Sequence, residues 1–250
     1  MNESNLITKN NISLKKLFGL IFIPTSLLTI TYVIVGLLQQ TIPSILLFFL
    51  LAILILFPIE LGVVLLSSKK EYGSYSLKSA FQDYEKMSWG KILLYGFVLF
   101  GFAGLMTVTI APLEQVLTAP LADRFANILP TYFDWYNIEF LKGYSNNILM
   151  ITVLIFFLMN VIVGPIIEEL FFRGYLTSKI SRYGKWAPLI VTVLFSIYHF
   201  WLPFNNLFRI AIFFPAAYIA WKKKNIYITM AFHIFSNLFS TISIIIAIYS

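Results

Sequence analysis

Apolar stretches fill most of this chain. They are parted by short polar or proline-bearing segments: Gln39-Gln40-Thr41-Ile42-Pro43, residues 67–90 and Pro203-Phe204-Asn205-Asn206. A helix needs about 20 mostly apolar residues to cross a hydrocarbon core of roughly 30 Å. On that template the pattern predicts spans near 17–38, 44–66, 91–112, 147–176, 186–203, 206–221 and 225–249. The expected fold class is all-α, a polytopic transmembrane helix bundle of about seven spans. A single membrane domain covers residues 1–250, and 147–250 is its motif-bearing core. Lys15 and Lys16 precede a long apolar run with no small-residue cleavage site, so the first span is expected to remain in place.

Composition sharpens this picture. Hydrophobic residues make up 59% and charged residues 12%, with a mean hydropathy of +0.84. Soluble domains run near 45–50% apolar and about 25% charged, so an ordinary soluble enzyme is excluded. Disorder is excluded too, since it needs low hydrophobicity and high charge. There is no cysteine, which removes disulfides, thiolate catalysis and thiolate metal sites.

The net charge of +7 does not indicate a nucleic-acid partner, because that footprint clusters on one soluble face. Here Lys and Arg sit in short runs between apolar stretches. Alternate segments hold 15 and 3 of them, the first set beginning with Lys9, Lys15 and Lys16. The positive-inside rule then places the N-terminus in the cytoplasm and the C-terminus outside. Residues 113–146, with Tyr132, Phe133, Trp135, Tyr136 and Phe140, read as an external segment whose aromatic stretch lies at the interface. Residues 67–91 read as a cytoplasmic linker.

Ionisable residues within spans are expensive, and are functional candidates by default. Glu60, in the second predicted span, reads as structural or interfacial. The fourth span carries Glu168-Glu169 and Arg173. Residues four apart share a helix face, so Glu169 and Arg173 are expected to pair. Glu168 points about 100° away and is the reactive candidate. Phe195 and His199 share a face of the fifth span, as do His233 and Asn237 in the seventh. Both histidines of the chain thus lie within predicted spans. From the assumed cytoplasmic ends, Glu168 and His233 lie about 12 Å deep, Asn237 about 18 Å and His199 about 20 Å. Common helix tilts allow these depths to converge.

Such a set suits peptide-bond hydrolysis. Glu168 would be the general base, with His199 orienting water, and His233 and Asn237 would donate to the oxyanion. A zinc ion on Glu168, His199 and His233 is the alternative, although no HExxH motif is present. Proton-coupled transport through the same groups is a weaker reading, because Gly164-Pro165 is the one visible helix break.

Glu-Glu-x-x-x-Arg at 168–173, Phe-x-x-x-His at 195–199 and His-x-x-x-Asn at 233–237 resemble the three ordered motifs of the CAAX prenyl protease and bacteriocin-processing (Abi) family. The resemblance covers roughly 147–240. It implies an intramembrane endopeptidase in which Glu168 and His199 activate water and His233 and Asn237 form the oxyanion hole. Glu169, Arg173 and Phe195 would be structural support. It implies no firmly assigned cofactor, zinc remaining an option. The implied partners are membrane lipids and a peptide or protein substrate, which lipidation would suit. The compact chain resembles bacterial members, which serve peptide maturation, signalling or bacteriocin self-immunity, and a non-proteolytic scaffold or immunity protein is the competing role. The expected place is a bacterial cell membrane, multi-pass, with the site opening toward the cytoplasmic half. Family members have about eight spans, so an eighth within 113–146 is the alternative to seven.

Overall fold

The computed structural model describes residues 11–82 and 84–250, and Lys9 of the N-terminal basic run lies outside the described residues. Seven helices stand where the apolar pattern places spans. They are α1 (Leu14–Leu38), α2 (Ser44–Tyr72), α3 (Trp89–Ile128), α4 (Asn146–Lys179), α5 (Ala187–Tyr198), α6 (Asn206–Lys222) and α7 (Tyr227–Tyr249). No strand occurs among the described residues. Helices satisfy their own backbone groups, which hydrocarbon cannot do for them.

Five of the seven, α1 to α4 and α7, are long and apolar enough to cross a membrane. With 12 and 17 residues, α5 and α6 reach only about 18 Å and 25 Å. They form a hairpin shorter than the hydrocarbon core, so the count of seven full spans is approximate. Charge alternation does not distinguish the two cases. A hairpin returning to its own side leaves the chain ends on opposite sides, just as two further crossings would.

The basic segments gather at one end of the bundle. Ile12 N–H donates to the Lys179 carbonyl (3.0 Å), Arg182 Nη2 to the Ile12 carbonyl (2.9 Å) and Glu85 N–H to the Lys224 carbonyl (2.9 Å). Segments poor in Lys and Arg meet at the other end. There the Tyr132 and Tyr144 hydroxyls donate to the carbonyls of Ile42 and Gln40, each at 3.1 Å. Burial pushes both phenols up, so they stay hydroxyl donors.

Residues 113–128 correct the expected loop: they continue α3 through Pro112 and Pro120. The 40-residue helix extends about 60 Å, beyond any hydrocarbon core. Its polar residue Glu114 is buried and finds backbone donors on α6, which removes the reason to expect a loop there. The non-helical segment shrinks to 129–145, interrupted by a one-turn helix, Ile138–Lys142. Within it Tyr132 and Trp135 are buried, so this aromatic stretch packs on the bundle.

The linker after α2 is mostly non-helical. Gly73, with φ of 79°, ends α2 in the left-handed conformation that glycine adopts at no steric cost. Ser79 Oγ then donates to the Val64 carbonyl (2.8 Å), and Ser79 N–H donates to Ser68 Oγ (2.9 Å). This straps the linker along α2 and across α4, where Glu71 pairs with Lys179.

Between apolar helices in lipid, close approach and hydrogen bonding replace the hydrophobic driving force. α3 and α7 show the first: a Cβ at Gly96 would lie 2.8 Å from Ala231 Cβ and 3.1 Å from the Phe232 nitrogen. The packing of α7 on α3 and α4 leaves His233 facing the acidic stretch of α4.

Candidate active site

α4 has widened π-helical stretches on both sides of Glu168, Phe157–Val163 and Glu169–Leu176, and the second holds Glu169 and Arg173. Such stretches recur at functional sites because they free backbone carbonyls and re-aim side chains. Gly164-Pro165 does not break the helix. Pro165 sits in the first turn of the next α-helical piece, where its missing N–H costs least.

Glu169 is fully buried and pairs with Arg173, Oε1 to Nη1 at 3.2 Å. This is the pair the four-residue spacing predicts. The same oxygen accepts a 3.0 Å hydrogen bond from His233 Nδ1. The Arg173 guanidinium lies over the Phe195 ring at 4.0 Å and near Phe213 at 4.9 Å. Phe195 thus forms one wall of the ion pair.

Glu168 lacks a guanidinium partner within ion-pair distance. Its Oε2 lies 3.7 Å from His233 Nε2, wider than a hydrogen bond. Its Oε1 accepts a 3.4 Å contact from the Tyr198 hydroxyl.

His199 stands just past the end of α5, at non-helical φ −79° and ψ 62°. Its Nδ1 lies 2.7 Å from the Phe195 carbonyl. A carbonyl only accepts, so Nδ1 carries the hydrogen, and in the neutral ring Nε2 presents a lone pair. Phe195 touches both imidazoles edge-on, with centroids 4.8 Å from His199 and 6.0 Å from His233. Asn237 Nδ2 donates to the Asn160 carbonyl at 2.8 Å, and the Asn160 amide donates to Thr241 Oγ1 at 2.9 Å. One Asn237 N–H remains for another acceptor.

Glu168, Glu169, Arg173 and His233 are therefore in mutual reach, with Phe195 and His199 beside them. Asn237 lies one turn along α7 from His233. Among the described residues, no hydrogen bond or ion pair joins His199 or Asn237 to Glu168. No three His, Asp or Glu side chains among those residues are gathered closely enough to hold a metal ion. The zinc set of Glu168, His199 and His233 does not fit this arrangement.

Several polar groups at the site lie outside the sequence motifs. Glu60 is 1% exposed, and neither carboxylate oxygen has a hydrogen-bond partner. Its polar neighbours are Tyr198 and Glu168. An interfacial Glu60 is thereby corrected: it faces the site from α2. Its signal was its place within a span, but spacing along one helix does not reveal a partner on another. Arg209 is buried in α6 and lies close enough to act on Glu168.

Neither the comparison with curated proteins nor that with solved structures finds a match. The family model for the type II CAAX prenyl endopeptidase, Rce1-like, matches residues 150–239, which hold all three motifs. The motif-bearing stretch of this chain, residues 150–239, is thus similar to the Rce1-like, type II CAAX prenyl endopeptidase family.

Proposed function

We propose that this integral membrane protein is an intramembrane endopeptidase that hydrolyses a peptide bond with water activated by Glu168 and His199. The observation that carries this reading is the unequal surroundings of two adjacent carboxylates. Glu169 is committed to Arg173 and His233, while Glu168 keeps an oxygen facing His233 across 3.7 Å. A general base needs such a free lone pair beside the reacting atoms.

In this reading water lies between Glu168 and the lone pair of His199 Nε2. Glu168 takes the water proton as the oxygen attacks the scissile carbonyl carbon. The carbonyl oxygen becomes an oxyanion, which the remaining Asn237 N–H and His233 Nε2–H stabilise. His233 donates from both nitrogens only when doubly protonated, a charge that Glu169 balances. Glu168 then passes its proton to the departing amine, the C–N bond breaks, and two peptide termini result. No metal takes part. Stoichiometric zinc in purified protein, lost on His233→Ala, would contradict that.

The substrate is a peptide or protein, and a lipid-modified one suits a site within the bilayer. A cavity of about 310 Å³ at the basic end, lined by Ala80, Phe81, Gln82 and Tyr84, has Arg173 in its wall. It supports a site opening to the cytoplasmic half. The test compares wild type, Glu168→Gln and His199→Ala, purified in detergent, on a prenylated peptide and its unmodified counterpart. Folded variants that lose cleavage about 10²–10⁴-fold support catalysis. Undiminished cleavage in both would contradict Glu168 and His199 as the water-activating pair, and no cleavage by the wild type would leave the scaffold or immunity reading.

A further inference from the structure

His199 stands on backbone that is not helical, in the 199–205 turn between α5 and α6, where Trp201 meets Phe48 and Phe204 meets Phe125. The last carbonyls of α5 have no helical partners there, and irregular backbone at membrane depth must be satisfied by protein. One buried cation meets much of that need. Arg209, 8% exposed, donates from Nη1 to the Ser196 carbonyl (2.9 Å) and from Nη2 to the Leu202 carbonyl (3.4 Å). His199 is tied to the same two residues. Its N–H donates to the Ser196 carbonyl (3.3 Å), and its carbonyl accepts from Leu202 N–H (2.9 Å). The planar guanidinium fork therefore closes the turn that carries the imidazole.

Arg209 is itself held in place through the start of α6. Glu114 of α3, 3% exposed, accepts from Leu207 N–H and Phe208 N–H, one on each carboxylate oxygen, both at 2.8 Å. A carboxylate at this position satisfies two orphan donors and meets the positive end of the helix. Arg209 is the next residue along the chain, so this pair of bonds sets its backbone. Glu114 also lies near enough to offset its charge, and a buried guanidinium needs such an offset.

We propose that Glu114 and Arg209 form a clamp that positions His199. Glu114 anchors the first turn of α6, Arg209 grips both sides of the turn, and His199 Nε2 is thereby aimed at the water beside Glu168. Both are positioning residues, and neither belongs to the three motifs. The inference rests on the reading of His199 as a water-orienting group.

His199 and His233 are the only histidines, so histidine-selective ¹⁵N labelling yields one set of imidazole resonances for each. In detergent-purified Arg209→Lys the charge stays but the fork is lost. In Glu114→Gln one of the two charged acceptors is replaced by an amide nitrogen. In both variants the clamp predicts displaced His199 resonances beside unchanged His233 resonances, which report the fold. It also predicts a fall in kcat toward prenylated peptide of about 10²-fold with KM held, as for a misplaced catalytic group. The two variants are read independently, so failure of one to fold leaves the other decisive. Unchanged His199 resonances in a folded variant overturn the clamp, whatever cleavage does. Displaced resonances with full cleavage support the clamp as a structural device but contradict its role in aiming His199.

Discussion

Glu169 divides one oxygen between Arg173 and His233, at 3.2 and 3.0 Å, whereas Glu168 beside it meets His233 only across 3.7 Å. The first arrangement is a buried network in which each charge depends on its partner. Arg173→Met leaves Glu169 buried with one cation fewer, and is expected to lower unfolding stability by about 3–5 kcal/mol. Thermal unfolding in detergent measures this, and removing the charge of Glu169 as well should recover much of the loss, because the uncompensated carboxylate is then gone. This pair was legible in the sequence because i,i+4 spacing on one helix is a local property. Tyr198 and Glu60 were not recognised as part of the site. Tyr198 meets Glu168 from α5 and Glu60 approaches from α2, and such meetings depend on how helices rotate against each other. The same limit hid the tie between Asn237 and the Asn160 carbonyl, which lies in a π-helical stretch that hydropathy does not register.

At the scale of elements, apolar runs located all seven helices but misplaced the C-terminal ends of α2, α3 and α5. α3 continues to Ile128 because Glu114, which reads as the start of a polar loop, is spent on the amides of α6. α5 ends at Tyr198, short of the expected 203, because the turn that follows is held inside protein by Arg209 and Ser196. The contact of α3 with α7 depends on Gly96, whose added Cβ would fall 2.8 Å from Ala231 Cβ. Gly96→Leu should force these helices apart and lower stability by about 1–3 kcal/mol. Gly101→Leu, where a Cβ meets nothing within 4 Å, should be tolerated. Melting temperatures of the two variants in one detergent check this contrast.

For the whole molecule, five long helices and one short hairpin gather the basic segments at one end. The chain has no cysteine, so single-cysteine labelling needs no prior substitution. Lys223→Cys and Tyr136→Cys, both at exposed positions, should react with an impermeant thiol reagent from opposite faces of the membrane. Labelling of both from one face would contradict the arrangement. The central claim is that Glu168 activates water for peptide-bond hydrolysis. It is tested most directly by quantifying peptide termini in membranes from cells expressing wild type or Glu168→Gln at equal protein level. The account predicts a set of new termini present with wild type and absent with the variant. Identical termini in the two would contradict it.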